Sequence, residues 1–319
     1  MSFIKKRKTG NAGLLVLAAI VLLFTACNGS PSEDSRTEEN NVVNGTAATN
    51  EPTVDPAQEN EEVSTVLSSE EMKKGDYTMI WSDEFDGKKL DTDIWNYELG
   101  YIRNNELQLY TDSEVNARLE NSMLIIEACK GDPLGDKYTS ASINTKIKKA
   151  FKYGMIEIKT KLPKGQGVWP AFWMMGNPSD ASGNYSWPQC GEIDILEMVG
   201  GGDGDATAHA NLHWGSSYPD GYKNLNGSDN TYKLKEGVFN DDFHVFGFKW
   251  TEEEMVWYID DEEYFSAPIT EAGMEMFHEE FFILLNLAIG GDWPGDPNEN
   301  TEFPAQYLID YVRVYQLQK

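Results

Sequence analysis

Short apolar runs with a period of two dominate residues 76–319. The segments "SMLIIEA", "YGMIEIKTKL", "FHVFGFKW", "MVWYID", "FFILLNLAI" and "IDYVRVYQL" are rich in β-branched and aromatic residues, and several alternate between apolar and polar positions. Clusters of Gly, Pro, Asn and Asp such as "WPGDPNEN" separate them, and few segments show a sustained helical period. Many strands joined by polar loops, without alternating helices, predict an all-β domain, an antiparallel sandwich or barrel rather than an α/β fold.

One of these runs, "GEIDILEM", carries three acidic residues within six positions: Glu192, Asp194 and Glu197. Side chains alternate between the two faces of a strand, so Glu192 and Asp194 share a face and Glu197, at an odd spacing, falls on the other. A β-bulge inserts one extra residue into a strand. A bulge at Ile195 or Leu196 would therefore bring all three acids to one surface.

Such a cluster of acids has a chemical use. A solvated strand face usually mixes Lys and Thr with acids, whereas the residues between these acids are apolar. Neighbouring carboxylates raise one another's pKa, which places one protonated acid beside one ionised base near neutral pH. Glycoside hydrolysis needs this pair, at roughly 5–5.5 Å when configuration is retained. A straight strand would hold Glu192 and Glu197 too far apart, so we expect the bulge to bend the strand.

Tryptophans in loops suggest a carbohydrate ligand. Trp187 and Trp293 stand beside Pro or Gly, where an indole is poorly placed for a core and well placed to stack on a sugar ring. Phe172 and Trp250 lie in apolar runs and are predicted to pack in the core. The pair His209 and His213 does not predict zinc, because in a strand the two lie roughly 13 Å apart.

Several segments together resemble glycoside hydrolase family 16, in its laminarinase branch. "GEIDILE" is similar to the family's E-x-D-x-x-E signature, and "NNELQLYT", "KLPKGQGVWPAFWMMG", "LHWG", "LNLAIGGDWPG" and "IDYVRVYQ" follow the family's order across nearly all of residues 76–319. The resemblance implies a β-jelly-roll sandwich with a concave cleft and a retaining endo-β-1,3-glucanase. In it Glu192 would be the nucleophile, Glu197 the general acid/base, and Asp194 the residue that holds the nucleophile and tunes its charge.

The resemblance also implies the residues that bind substrate. The candidates are Trp169 and Trp173 at the sugar nearest the bond, Asn104 and Glu106 on hydroxyls, His213 beside the acids, and Trp293 at a further subsite. The loop position of Trp187 adds it to these candidates. Glu106 could equally be a structural acid. No cofactor is expected for catalysis, but many members bind a structural calcium ion, for which Glu84 and Asp310 match the family's contributors.

Two other functions stay open on the sequence. Relatives that lack the acids only bind glucan, and the three acids present here argue against that function. Other members cut agar, carrageenan or mixed-linkage β-1,3-1,4-glucan. Sulfated polymers would favour basic residues in the cleft, so a neutral glucan is preferred.

The N-terminus predicts export. Residues 1–27 read as a lipoprotein signal peptide, because "KKRK" precedes a short apolar run that ends in "LLFTAC", with Cys27 as the acylated residue. Residues 28–75, polar and almost free of aromatics, predict a disordered acidic linker, and residues 76–319 the catalytic domain. We therefore expect an exported lipoprotein that is at the cell surface or anchored to a membrane.

The formal net charge of −27 argues against nucleic acid and against anionic membrane surfaces as partners, which leaves contact with a membrane through the lipid anchor alone. A neutral β-glucan is compatible with this charge, and we expect the protein to be a monomer. Cys129 and Cys190 are expected to be buried free thiols rather than a disulfide.

Overall fold

The computed structural model describes residues 67–68, 72–131, 135–177, 186–225, 227 and 229–318. They belong to one unit, Glu59–Lys319. Short 3-10 helices are found at Gly202–Ala206 and Glu275–His278. The strands are β1 (Lys73–Lys74), β2 (Tyr77–Asp83), β3 (Asn96–Glu98), β4 (Gln108–Tyr110), β5 (Ala117–Leu119), β6 (Leu124–Lys130), β7 (Tyr138–Ser140), β8 (Ser142–Asn144), β9 (Gly154–Lys161), β10 (Val168–Gly176), β11 (Glu192–Glu197), β12 (Thr207–Gly215), β13 (Tyr222–Asn224), β14 (Thr231–Lys233), β15 (His244–Trp250), β16 (Glu254–Ile259), β17 (Glu262–Pro268), β18 (Phe281–Ile289) and β19 (Ala305–Leu317).

These strands form two sheets. The first has the order β17-β16-β15-β9-β19-β6-β7-β4, with β2 on β19, β1 on β2 and β5 on β6. The second has the order β13-β12-β11-β10-β18-β8-β3, with β14 on β12. Strands distant in sequence are neighbours in both sheets, so each sheet holds together residues from the two ends of the domain.

The main core is built from the inner faces of both sheets. It combines Ile156 and Val312 of the first sheet with Phe172, Ile193 and Leu285 of the second, all fully buried. Burying each such side chain contributes roughly 1.5–3 kcal/mol before the entropy of ordering is subtracted. The predicted core positions of Phe172 and Trp250 are confirmed.

The predicted strands are present, and among the described strands one pair departs from the antiparallel prediction. β4 and β7 pair in parallel, with Gln108 opposite Tyr138. Parallel neighbours need a long connection, and here β5 and β6 lie between them in the chain. The apolar pattern of each short strand carries no information on this direction.

The described strands begin slightly before the predicted domain boundary at residue 76. Lys73 and Lys74, placed in the linker on composition, pair with β2. The ammonium group of Lys74 contacts the fully buried carboxylate of Glu157, and this ion pair helps to hold the polar segment beside β2. The signal peptide, Cys27 and residues 28–66 of the linker lie outside the described residues.

Cys129 and Cys190 do not form a disulfide, as predicted, and both are half-buried rather than buried. Across the part of the chain that the structure covers, no helix is long and apolar enough to cross a membrane.

Candidate active site

Strand β11 carries the predicted bulge. On β10, the consecutive residues Trp173 and Phe172 pair with Asp194 and Leu196, so Ile195 has no partner there. On the other side, β12 spans two residues between the partners of Asp194 and Glu197, where β11 spans three. Ile195 is therefore the extra residue, and the bulge prediction is confirmed.

The bulge sorts the side chains of β11 as expected. Ile193, Ile195 and Leu196 all pack in the main core, so two consecutive residues point inward at the bulge. Glu192 and Glu197 are half-buried and line the same cleft as Asp194. The three acids thus share the outer face of the second sheet.

Glu197 is held by an aromatic wall. The indole N–H of Trp169 donates a hydrogen bond of 3.0 Å to Oε1 of Glu197. Trp293 packs edge-on against Trp169, with ring centroids 5.4 Å apart, and against His209, at 5.0 Å. His209 pairs with Glu197 across the strands. Trp293 is 47% exposed, which fits a platform at the cleft rather than a core residue.

A second group of polar and aromatic residues surrounds Glu192 and Asp194. Nε2 of His213 lies 2.9 Å from Oδ2 of Asp194 and 3.7 Å from Oε1 of Glu192. Nδ1 of His213 contacts the hydroxyl of Tyr222, and Trp187 hydrogen-bonds Glu192. His213 therefore lies beside the acids, as the family resemblance implied.

Burial raises the pKa of all three acids. Burial, followed by repulsion from Asp194, raises the pKa of Glu192 to about 7. Burial also raises the pKa of Asp194 well above its usual range. For Glu197, burial and then the charge of Asp194 raise the pKa well above its usual range, and the Trp169 hydrogen bond opposes this. Near neutral pH the site therefore holds protonated acids beside a partly ionised Glu192.

The "NNELQ" segment lies at the edge of the same cleft. The carboxylate of Glu106 accepts hydrogen bonds from Asn104, at 3.2 Å, and from Gln108, at 2.7 Å. Burial raises the pKa of Glu106. Both of its oxygens thus have protein donors, which favours the structural role that the sequence left open. Asn104 lines the cleft and adopts a left-handed backbone conformation, with φ of 55°.

Trp173 is more enclosed than the sequence suggested. Its indole N–H donates to Asn286 at 2.7 Å, and 7% of the residue is exposed. It contributes to the cleft wall. Since little of the ring is open to solvent, Trp173 is better placed to support the cleft surface than to offer a whole ring face to a sugar.

The cleft has a volume of about 920 Å³. It brings together every predicted catalytic and substrate-binding residue. Sequence reasoning did not single out several other lining residues, three of which lie within the quoted family segments (Asn105, Asn286 and Asp292) and the rest outside them: Glu98, Ile102, Arg103, Asn211, Tyr218 and Tyr222. Tyr218, exposed and packed on Trp187 at 5.4 Å, had the same Pro-flanked loop signal as Trp187 and could have been found.

The two residues predicted for calcium have other partners. Both oxygens of Glu84 accept hydrogen bonds from Arg313, at 3.0 and 2.8 Å, and Asp310 pairs with Lys159 at 2.7 Å. A calcium ion at these carboxylates would have to displace Arg313 and Lys159, so the contacts do not favour the calcium site, which stays a prediction. Among the described residues, the group with the spacing of metal ligands is Glu192, Asp194 and His213, at the acids themselves.

The family model for Glycosyl hydrolases family 16 matches residues 89–313. The "Beta-glucanase" of Rhodothermus marinus is 36% identical over 79% of this chain and 90% of its own length. The "Glucan endo-1,3-beta-glucosidase A1" of Niallia circulans is 37% identical over 75% of this chain and 38% of its own length.

Among solved structures, the laminarinase catalytic domain of Thermotoga maritima superposes with a TM-score of 0.66 at 41% identity. The match covers 76% of this chain and 99% of that one. The predicted β-jelly-roll sandwich of two sheets is thereby confirmed.

Proposed function

Because this chain belongs to family 16 of the glycosyl hydrolases, we propose that it is a retaining endo-glycosidase that hydrolyses β-1,3-glucan. One observation carries the proposal. The Ile195 bulge brings Glu192, Asp194 and Glu197 onto one face, inside a cleft lined by indole rings. Paired carboxyl groups supply the chemistry and aromatic rings the platform that glycoside hydrolysis requires.

In the first step, the carboxylate of Glu192 attacks the anomeric carbon. The bond from that carbon to the glycosidic oxygen breaks, and Glu197 gives its proton to the departing oxygen. The raised pKa of Glu197 keeps this proton available near neutral pH. The indole N–H of Trp169 on Oε1 fixes the direction of the carboxyl group.

In the second step, a water molecule attacks the anomeric carbon of the glycosyl-enzyme while Glu197 takes a proton from the water. The bond from that carbon to the Glu192 oxygen breaks, which releases Glu192 as a carboxylate. The ester no longer carries the charge of Glu192, and that charge had raised the pKa of Glu197. The pKa of Glu197 therefore falls once the ester forms, which suits its change from acid to base. Both proton transfers run through carboxyl groups, so we propose no cofactor for the chemistry.

Two variants test the roles of the acids. Glu192→Ala removes the nucleophile and should abolish turnover of every aryl glucoside. Glu197→Ala removes the proton donor, so it should still release a burst of a good leaving group that needs no proton, while natural glucan is not cut. An equal response of both variants to the pKa of the leaving group contradicts the assignment.

The substrate is tested by digestion of laminarin, lichenan, agarose and cellulose, with the products sized by chromatography. We expect laminarin to be cut internally into oligosaccharides of mixed length. Faster cleavage of lichenan would assign the enzyme to mixed-linkage β-1,3-1,4-glucan, and binding of laminarin without any product would assign a glucan-binding module. We also propose that the protein acts outside the cell as a monomer, held to a membrane through lipid on Cys27.

A further inference from the structure

The charged side chains that line the cleft are mostly acidic. Six carboxyl groups line it: Glu98, Glu106, Glu192, Asp194, Glu197 and Asp292. Among the described residues that line it, Arg103 is the one side chain with a permanent positive charge. A single cation in such surroundings has a large influence on the protonation of its neighbours.

Arg103 is fixed in place by the protein. Its Nη2 pairs with Oε2 of Glu98, the last residue of β3, and the side chains of both residues are 21% exposed. The same Glu98 oxygen accepts a hydrogen bond of 2.6 Å from Ser142 of β8. The guanidinium is therefore attached to two strands of the second sheet through one carboxylate.

The guanidinium also contacts the wall of the cleft beside the catalytic strand. Cζ of Arg103 lies 5.1 Å from the ring centroid of Trp173, a cation–π contact. Trp173 pairs with Asp194 across the strands, and its N–H bonds Asn286. Nε of Arg103 is buried and has no hydrogen-bond partner among the described protein atoms.

We propose that Arg103 is a positioning residue for the hydrolysis: it fixes the Trp173 ring and favours the ionised form of the nucleophile Glu192, while Glu98 sets the strength of its field. This inference rests on the proposed function. It assigns to the loop before "NNELQ" a role in the charge state of the nucleophile, apart from any hydrogen bond that the loop makes to sugar.

Several titratable groups act on Glu192 together with Arg103. Asp194 and Glu197 are on its own strand, His213 and Tyr222 come from β12 and β13, and Cys190 precedes the strand. Asp194 raises the pKa of Glu192, while His213, Trp187 and Arg103 lower it. Loss of the Arg103 charge must therefore raise this pKa. Loss of the Glu98 charge, which partly cancels the field of Arg103, must lower it.

The opposite shifts expected in the pKa of Glu192 can be measured in one experiment. The acid limb of kcat/KM on laminarin is measured for wild type, Arg103→Met, Arg103→Lys and Glu98→Gln. Arg103→Met keeps an apolar stem on Trp173 without the charge and should move the limb up by about 0.5–1 pH unit, a shift at the low end for a charge nearby. Arg103→Lys should restore most of the shift, and Glu98→Gln should move the limb down. Arg118→Met, which removes a cation paired with Glu127 outside the cleft, is the matched control and should leave the limb unmoved.

The outcomes separate this inference from the proposed function. A wild-type protein that leaves laminarin uncut overturns the proposed function. An active wild type whose limb stays fixed in Arg103→Met, or moves in the same direction in Arg103→Met and Glu98→Gln, overturns the role of Arg103 alone. If Arg103→Met does not fold by circular dichroism, the direction of the Glu98→Gln shift decides.

Discussion

Deletion of Ile195 tests whether the bulge is a separable insertion that serves the site. Both neighbours of β11 already pair with Asp194 and Glu197 as though Ile195 were absent. Without it, Glu192, Asp194 and Glu197 follow at even spacing, and Ile193 and Leu196 keep their places in the core. We therefore expect the deletion protein to fold with its sheets in register.

The expected loss of stability follows from the environment of Ile195, which is 2% exposed and packs in the main core. Loss of such a side chain costs about 2–5 kcal/mol. In a domain of this size that lowers the melting temperature by roughly 4–20 °C. Ile195→Ala is the matched control, because it loses the same packing but keeps the bulge. It should melt at a similar temperature and hydrolyse laminarin nearly as fast as wild type.

Hydrolysis by the deletion protein should fall, because the bend at the bulge is lost and Glu197 is aimed differently. It should still exceed that of Glu197→Ala by about tenfold or more, since a general acid contributes at least ~10²-fold when well placed. Circular dichroism, thermal melting and laminarin hydrolysis are measured on the three variants. The reasoning fails if the deletion protein unfolds while Ile195→Ala folds, or if it folds and is no more active than Glu197→Ala.

Three further predictions concern binding, pH and export. Trp293→Ala should raise KM for long glucans more than it lowers kcat. Ile80→Ala is the control, because Ile80 is similarly exposed but lies on the first sheet, and it should leave KM unchanged. An unchanged KM in Trp293→Ala with a large fall in melting temperature would instead indicate core packing. The folded-state pKa of Glu192, about 7, lies above its ordinary 4.5, so its protonated form stabilises the fold below about pH 4.5 and this contribution is lost as pH rises through 7. Glu192→Gln should thus melt several degrees above wild type at pH 8 and about equally at pH 4, and no difference at pH 8 would mean that burial of the charge costs little. Cys27→Ser should release the protein from membranes, and equal release of wild type would count against lipidation.

Much of the fold and the acids could be predicted because their signals are local. Alternation along β9, β15 and β19 identifies strands, and the odd spacing to Glu197 requires either a bulge or a change of face. Pairing partners could not be derived in the same way. β19 lies between β6 and β9 because its apolar face completes the core there, and the parallel contact of β4 with β7 leaves no mark on either short segment.

The place of Arg103 shows why part of the site is invisible in the sequence. Residues 99–107 contain no sustained period, and an arginine between Ile102 and Asn104 carries no local signal of its place in the site. The position of the loop comes instead from distant backbone: the N–H of Leu107 donates to Ile289, and that of Asp292 to Asn104. These bonds attach the loop to the end of β18 and bring Arg103 over Trp173. A charge that acts through space on Glu192 therefore depends on contacts between segments almost 200 residues apart in the chain, which a local pattern does not contain.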